Sequence, residues 1–445
     1  MQSLRIRSVS HLLRKKKVGN MKDEEKEGEK AKMEDVVIVG GVRTPVGNFG
    51  GSLKSVRAYD LGALVLNEVL KKAKLDANKI DMVILGQNYQ SGEYVNIARM
   101  SLLKAGWPVE IPGLTVDRRC PSGFDAVCVA SMFIQSGNAD IIVAGGVESM
   151  STAEFYLQGD VRWGIGGTGD MPRGHGSLSM WGIPFYDRIQ RGRVMSQPED
   201  RFGILPSMMS WAETAAKEYG ITREEADRWA VLSNQRACAA IDSGKFKEEI
   251  IPVPLSGRKG EPAFFSEDER PRKDTTLEGL SKLKPVLGGI CTAGNSSGEN
   301  DGAAVCVLMS KKRAKELNVE PWGTLKAFAF GGADPRSAWK AASVAANLAL
   351  KKAGLTVQQI DLFEIHEAFA AQTLANMREL SITEKDYGRV NVNGSCVSIG
   401  HPLGATGARI LITLLNEMRR RQSRYGMIAI CGGGGMGVSG IVERA

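Results

Sequence analysis

The sequence predicts an α/β fold made of two similar halves. One observation is an ungapped internal repeat, in which residues 66–86 (LNEVLKKAKLDANKIDMVILG) resemble residues 346–366 (ANLALKKAGLTVQQIDLFEIH). A second is that each copy has the apolar period of a helix, then a short loop, then an apolar strand. The third is that the strands are short and almost wholly apolar. Strands of this kind, alternating with helices, indicate sheets that are covered on both faces.

The remaining elements follow the same order in both halves. A strand is predicted before the first helix at residues 35–40, and one before the second at residues 324–330. A later buried strand at residues 141–144 has its counterpart at residues 427–430. A helix is predicted over residues 125–135. We therefore divide the chain into an N-terminal half (34–150), a C-terminal half (305–445) and an intervening loop or insertion region (151–304).

The intervening region breaks the alternation. Residues 151–215 are rich in Gly, Met, Trp and Arg, and residues 255–275 have the charges and prolines of a loop. Between them the capping box Thr222–Glu225 predicts a helix that ends near Ser243 and Gly244. An insertion of this size is typical of a lid or a binding loop.

Composition excludes several classes of function. The net charge of +8 comes mainly from residues 1–33, which hold ten Lys/Arg and five Asp/Glu, so nucleic-acid binding is not expected. No apolar run approaches the ~20 residues of a membrane helix. The seven cysteines contain no CxxC pair, which argues against a zinc ribbon or a disulfide framework and favours a reducing compartment.

The basic and charged tail, residues 1–33, is predicted to be disordered. Residues 1–18 contain no acidic residue and resemble a weak mitochondrial presequence, which would direct the protein to the mitochondrial matrix. The alternative is an overlong start, with translation beginning at Met21 or Met33. We favour that alternative and a cytoplasmic location.

Four segments carry candidate chemistry, and one of them, residues 364–371, puts His366 and Glu367 at a strand-to-helix junction. Cys120 precedes a helix start, where the helix dipole, amide donors and the neighbouring Arg118 and Arg119 favour a thiolate; a single cysteine there is more often a small buried residue. His401 lies in a glycine-rich turn ahead of a helix, as a general base could. Cys431 ends a strand before four consecutive glycines, whose N–H groups suit an oxyanion hole or simply form a flexible turn.

Together these segments resemble the thiolase family, from Asp35 to the C-terminus. The motifs that carry the resemblance are Arg43-Thr-Pro, Cys120-Pro-Ser-Gly, Gly145-Gly-Val-Glu-Ser-Met-Ser, Asp274-Thr-Thr-Leu-Glu, Thr292-Ala-Gly-Asn-Ser-Ser-Gly, His366-Glu-Ala-Phe, Gly400-His-Pro and Cys431-Gly-Gly-Gly. The resemblance implies a thiolase-like fold with layers in the order α-β-α-β-α. It also implies reversible acyl transfer, in which a 3-ketoacyl-CoA and CoA give an acyl-CoA and acetyl-CoA.

The resemblance assigns a role to five positions. Cys120 is the nucleophile that carries the acyl thioester, and His401 activates it and contributes to an oxyanion site. Cys431 is the acid/base. His366 completes the enolate oxyanion site with His401, and the backbone N–H of Gly433 forms a second oxyanion site with that of Cys120.

Ligands and partners are likewise implied by the resemblance. Acyl-CoA and CoA are substrates and products, with contacts expected at Ser297 and Met208, and no metal or nicotinamide cofactor is implied. Arg188, Arg191 and Arg193 are either CoA phosphate ligands or a solvated cluster. His366 replaces an Asn found in many thiolases and resembles the fatty-acid oxidation enzymes that work with a second subunit; a homodimer or homotetramer is expected.

Three other functions stay open. A decarboxylating ketoacyl synthase shares the duplicated fold, but Cys431 argues against it because those enzymes carry His or Asn at that position. A specialised thiolase for an unusual or aromatic 3-ketoacyl-CoA is compatible with Trp163, Trp181 and Trp211 in the insertion. A non-catalytic thiolase-like subunit of an acyl-CoA complex would be expected to lack the nucleophile or the base.

Overall fold

A computed structural model describes residues 34–159, 161, 184–205, 207–256 and 262–445. The strands are β1 Val36–Arg43, β2 Gly47–Asn48, β3 Met82–Gly86, β4 Gly113–Val116, β5 Ile141–Ser149, β6 Phe155–Tyr156, β7 Tyr186–Asp187, β8 Val253–Ser256, β9 Pro262–Phe265, β10 Asn300–Ser310, β11 Gly323–Gly332, β12 Leu362–Ile365, β13 Tyr425–Gly432 and β14 Met436–Arg444. The helices are α1 Ala58–Ala73, α2 Ile97–Lys104, α3 Ser122–Gln135, α4 Arg188–Val194, α5 Glu199–Phe202, α6 Met209–Tyr219, α7 Arg223–Asp242, α8 Leu277–Ser281, α9 Lys311–Glu316, α10 Lys340–Ala353, α11 Ala370–Glu379, α12 Cys396–Ile399 and α13 Leu403–Arg421. The predictions for residues 1–33 fall outside the described residues.

A mixed sheet in two matching parts organises the fold. Its strand order is β12-β13-β14-β11-β1-β10-β5-β3-β4, and β2 pairs with β10 off this path. The series β3-β5-β10-β1 in one part corresponds to β12-β13-β14-β11 in the other. Strand β10 thus belongs to the first part, although the division made from the sequence places residues 305–310 in the C-terminal half. The two parts join where β1 pairs with β11, at Val37 with Thr324 and Ile38 with Gly323. The repeat seen in the sequence is therefore a repeat of strand order as well.

Each part of the sheet is covered by helices on both faces. Along β1, Val37 and Val39 face a core shared with α1 and α2, whereas Val36 and Ile38 face a core shared with α3 and α13. The C-terminal strands alternate in the same way between α3/α13 and α10/α11. Because α3 and α13 pack between both parts, the layers run α-β-α-β-α, and the predicted fold class is confirmed.

The predicted elements lie inside the observed ones in most cases. The predicted strands near residues 35–40, 141–144, 324–330 and 427–430 correspond to β1, β5, β11 and β13, each of which extends further. In the insertion, Thr222 caps α7 with both hydrogen bonds of the capping box, and Ser243 ends the helix. These elements were predictable because their caps and apolar periods are local.

One local prediction is wrong. Residues 255–275 do not form a loop throughout, since β8 and β9 pair as a short antiparallel ladder from Val253–Phe265 to Ser256–Pro262. Val253 is buried against the core of the N-terminal half, and this tertiary contact outweighs the prolines and charges of the segment.

Among the described residues, no helix is both long and apolar enough to cross a membrane.

The Arg43-Thr-Pro motif has a structural place at the end of β1. The Arg43 guanidinium, 1% exposed, forms ion pairs of 2.7 Å with both Glu249 and Asp268. Asp268 accepts two hydrogen bonds from the guanidinium. Burial lowers the pKa of Arg43, but the two carboxylates outweigh this effect and raise it. The two ion pairs thus attach the intervening region to the first strand of the N-terminal half.

Candidate active site

Cys120 lies in the turn that leads from β4 into α3. Arg119, just before it, has a left-handed backbone (φ 58°), held by its N–H to Asp117 Oδ1 (2.8 Å) and by its carbonyl to Ser122. This turn packs directly against the glycine run after β13, because a Cβ on Gly432 would lie 2.6 Å from Pro121 Cδ. The two segments that carry the predicted cysteines are therefore in contact.

Desolvation of the resting Cys120 favours the protonated thiol. Burial raises its pKa to about 12, against the opposing effect of the Arg119 charge and of the backbone N–H groups of Cys120 and Gly433. Arg119 and the amide donors that were predicted to favour a thiolate do act in that direction, but the loss of hydration outweighs them. The same two N–H groups that were predicted to form an oxyanion site do converge on this sulfur.

His401 is fixed at both its backbone and its ring. Its N–H donates to Asn300 Oδ1 at 2.8 Å, and its Nδ1 lies 2.7 Å from Thr406 Oγ1. The Thr406 hydroxyl donates to the Pro402 carbonyl at 3.0 Å. Because the Thr406 hydroxyl proton points to Pro402, Thr406 Oγ1 accepts from His401 Nδ1–H. His401 Nε2 therefore keeps its lone pair.

His366 meets His401 at the centre of the site, with the two ring planes tilted by 53°. The two Nε2 atoms are 3.2 Å apart, and the ring centroids are 4.4 Å apart. Burial lowers the pKa of His366 to about 3 and that of His401 well below its usual value, with the Arg409 charge acting in the same direction. Both imidazoles are consequently neutral at pH 7, and each has one ring nitrogen with a free lone pair.

Cys431 and Cys120 both lie beside this imidazole pair. Cys431 Sγ is 3.8 Å from His366 Nδ1, and one ligand atom from each of Cys120, His366 and His401 lies within 4.8 Å of the others. Burial, and then the neighbouring Cys120 sulfur when it is ionised, raises the pKa of the Cys431 thiol above its ordinary value. The four predicted side chains thus come together although they are far apart in the chain.

A cavity of about 560 Å³ opens onto the two catalytic candidates Cys120 and His401. Ser297, Met208 and Gly433 also line it, so both predicted CoA contacts lie in its wall. Of the insertion tryptophans, Trp211 lines the cavity, while Trp163 and Trp181 fall outside the described residues.

The three arginines of the insertion separate in the structure. Arg193 lines the cavity and pairs with Glu299, Arg191 stacks over Tyr186, and Arg188 begins α4. Only Arg193 of the three therefore has a place beside a ligand in the cavity.

Three positioning residues were missed by sequence reasoning. Thr406 and Asn300 hold His401, and Glu148 joins three backbone segments by accepting hydrogen bonds from the N–H groups of Asn88, Tyr89 and Gly404. Burial raises the pKa of Glu148 to about 7 against these three bonds. The sequence offered one signal for the role of Glu148, which is its place in the Gly-Gly-Val-Glu-Ser-Met-Ser motif.

Glu367, next to His366, is a second buried hub. Its carboxylate accepts hydrogen bonds from Trp229 Nε1 (3.0 Å), Ser233 Oγ (2.9 Å) and Asn391 Nδ2 (2.8 Å). It also accepts from the N–H of Val397 at 3.1 Å. The His-Glu-Ala-Phe segment is thereby attached to α7 of the insertion and to the loop before His401.

Comparison with known proteins agrees with this geometry. Residues 36–312 match the model of the thiolase N-terminal domain, and residues 319–444 match that of the thiolase C-terminal domain. Acetyl-CoA acetyltransferase of Syntrophomonas wolfei is 45% identical over 412 residues, which are 92% of this chain and 99% of that protein. Acetyl-CoA acetyltransferase of Pseudomonas aeruginosa is 43% identical over 93% of this chain and 100% of its own length.

A solved structure gives the same result. The crystal structure of the Bacillus anthracis acetyl-CoA acetyltransferase is 39% identical in sequence and superposes with a TM-score of 0.84, covering 93% of this chain and 99% of that one. With family matches over both halves and relatives this similar along nearly their whole length, the chain belongs to the thiolase family.

Proposed function

We propose that this protein is an acyltransferase that moves an acyl group between a 3-ketoacyl-CoA and CoA through a thioester on Cys120. The observation that carries the proposal is the 3.2 Å approach of two neutral imidazoles beside one sulfur, with a second sulfur 3.8 Å from His366. An acyl transfer that also breaks a carbon–carbon bond needs a nucleophile, a base and a donor set for an enolate. This site offers all three.

The first half-reaction uses His401 as the base. Its Nε2 has a free lone pair because Nδ1–H donates to Thr406, so it can take the proton from Cys120 as the sulfur attacks a carbonyl carbon. In cleavage this is the 3-keto carbon of the 3-ketoacyl-CoA, and the C2–C3 bond then breaks; in synthesis it is the thioester carbon of an acyl-CoA, and CoA leaves. The oxyanion formed on that carbon is stabilised by the N–H groups of Cys120 and Gly433. In cleavage, the acyl group stays on Cys120 and the acetyl-CoA enolate leaves.

The enolate is stabilised at the imidazole pair. Once His401 has taken the Cys120 proton, its Nε2–H and the Nε2–H of His366 can both point at a single oxygen, because the two nitrogens are 3.2 Å apart. The pair therefore suits the enolate oxygen. Cys431 then gives its proton to the enolate carbon in cleavage, or removes it from acetyl-CoA in synthesis. No group outside the chain and its substrates is required for these steps, and we propose that CoA enters as substrate and product only.

The names of the relatives agree with an acyltransferase, and they leave the chain length and the physiological direction to experiment. The cavity that holds Ser297 and Met208 is the proposed place of the CoA pantetheine arm, and Arg193 the proposed neighbour of its phosphates. We propose a reducing, cytoplasmic setting, in which the seven free cysteines remain thiols. A homo-oligomer and a link to fatty-acid oxidation remain predictions.

The experiment that tests this function separates the two half-reactions. The protein is mixed with acetyl-CoA and its intact mass is measured, followed by peptide mapping of the acyl group. We expect one acetyl group on Cys120, none in C120S, and an acetyl group retained in C431S, because Cys431 acts only on the enolate.

Steady-state thiolysis of acetoacetyl-CoA and of longer 3-ketoacyl-CoAs completes the test. C431S is expected to lose thiolysis while it still exchanges acetyl groups with CoA. A stable acetyl group on another residue, or full thiolysis by C120S, contradicts the proposed mechanism. A protein that binds acyl-CoA without ever becoming acetylated is instead the non-catalytic subunit considered above.

A further inference from the structure

We propose that Cys120, His366 and His401 form a binding site for a soft divalent cation such as Zn²⁺ or Cd²⁺, and that its occupancy inhibits the enzyme. The three residues supply one thiolate and two imidazoles, which are the ligands that such ions prefer in proteins. One ligand atom from each lies within 4.8 Å of the others. The cation is an inhibitor in this proposal and takes no part in acyl transfer.

The spacing of the two imidazoles fits a tetrahedral ion. With Zn–N bonds of about 2.0–2.1 Å, two nitrogens on one tetrahedral ion are about 3.4 Å apart. The Nε2 atoms of His366 and His401 are 3.2 Å apart. Without an ion, His366 Nε2–H donates to the lone pair of His401 Nε2 across this distance. When an ion binds, the His366 proton moves to Nδ1, beside Cys431, and the ion takes its place between the two nitrogens.

The hydrogen bonds around His401 leave the correct atom free. Its Nδ1–H donates to Thr406 Oγ1 at 2.7 Å, and the Thr406 proton is directed to Pro402, so Nε2 has an available lone pair. A partner that fixes the tautomer in this way is what orients histidine ligands in metal sites. For His366, Nδ1 faces Cys431 Sγ at 3.8 Å, which leaves Nε2 directed at the same point as that of His401.

Cys120 supplies the third ligand, and the fourth position faces the cavity. On a tetrahedral zinc ion a sulfur and a nitrogen are about 3.6 Å apart, so the sulfur approaches the imidazoles by about 1 Å at most. The thiol proton leaves to solvent as the S–metal bond forms. Cys120 and His401 both line the cavity, so water or a small thiol can complete the coordination.

The charge near the site sets the selectivity among cations. Arg409 is 2% exposed and its positive charge acts on both imidazoles, so a cation held only by electrostatic attraction is disfavoured. Zn²⁺, Cd²⁺ and Co²⁺ form strong bonds to sulfur and imidazole nitrogen, whereas Mg²⁺ and Ca²⁺ prefer oxygen ligands. We therefore expect the first group to bind and the second group to be excluded.

The test measures binding directly on the full chain. Equilibrium dialysis with Zn²⁺ is expected to give one tightly held ion, and Co²⁺ to give a thiolate-to-metal absorption band. H366N and C120S should each weaken Zn²⁺ binding by more than the roughly 10- to 100-fold that loss of an outer partner causes, and the Co²⁺ band should vanish in C120S. C238S, which removes a buried thiol in α7, is the matched control and should bind as the wild type does.

Inhibition is the second readout. Zn²⁺ should abolish thiolysis in proportion to occupancy, Mg²⁺ should not, and a chelator should restore the rate. Zn²⁺ binding that is equal in C120S and the wild type, or no binding by an acetylation-competent protein, overturns the proposal. Because binding and acetylation of Cys120 are measured separately, failure of the metal site is distinguishable from failure of the proposed function.

Discussion

Replacing Thr406 by valine tests how the tautomer of His401 is controlled. Valine keeps the shape of threonine and removes only the hydroxyl, which accepts from His401 Nδ1–H at 2.7 Å and donates to Pro402 at 3.0 Å. The Pro402 carbonyl stays paired in T406V, because it also accepts the N–H groups of Ala405 and Thr406 at 2.9 Å. The single consequence is therefore an unpaired, buried Nδ1–H.

The size of the effect follows from that one lost partner. A buried donor without an acceptor costs about 1–3 kcal/mol, and the ring can avoid this cost by moving its proton to Nε2. In that tautomer His401 cannot accept the Cys120 proton. Since about 1.4 kcal/mol corresponds to a factor of ten in rate, we expect the acetylation of Cys120 to slow by roughly 10- to 100-fold.

The assay is the single-turnover rate of Cys120 acetylation by acetyl-CoA, with the imidazole tautomer read from ¹⁵N NMR. T406S restores a hydroxyl and is the matched control, expected near the wild-type rate. If T406V reacts at the wild-type rate with Nδ1 still protonated, or if T406S is as slow as T406V, the hydroxyl does not set the tautomer and the argument for His401 as base fails.

Three further predictions concern stability. R43A removes the buried ion pairs with Glu249 and Asp268, so it should lower the free energy of unfolding by about 3–5 kcal/mol in urea titration. The control K282A breaks an exposed pair with Glu278 and should change the free energy of unfolding by about 0–1 kcal/mol. Similar losses for both variants would contradict the argument. G407A should lose about 1–3 kcal/mol because its Cβ would meet Phe124 Cβ at 2.7 Å where α13 packs on α3, and G388A, which meets nothing within 4 Å, should melt like the wild type. Hydrogen bonds from Asn393, Arg420 and Arg421 outweigh burial and lower the pKa of Glu417 to about 2, so the carboxylate stabilises the fold above the unfolded pKa of about 4.5 and loses this effect as pH falls through about 2. The difference in the free energy of unfolding between wild type and E417Q should therefore be full at pH 7 and shrink below about pH 5. A difference that grows on acidification would refute this prediction.

Much of the fold was determined by local sequence. The repeat, the capping box at Thr222 and the apolar strands each express a rule that acts over a few residues, so the elements and the two halves could be predicted. The same holds for Cys120, His401 and Cys431, whose glycine-rich and helix-start surroundings are visible along the chain. Family motifs then assigned their roles.

The tertiary structure alone decided what depends on contacts between distant segments. The facing Nε2 atoms of His366 and His401, the anchoring of His401 by Asn300 and the pairing of β8 with β9 join residues that are far apart or whose local signals point elsewhere. The protonation of Cys120 belongs to the same class, because its pKa is set mainly by the desolvation that packing imposes, which outweighs the charges and dipoles written beside it in the sequence. The sequence identifies the side chains that form the site. Packing determines which of them are protonated and which atoms can accept those protons.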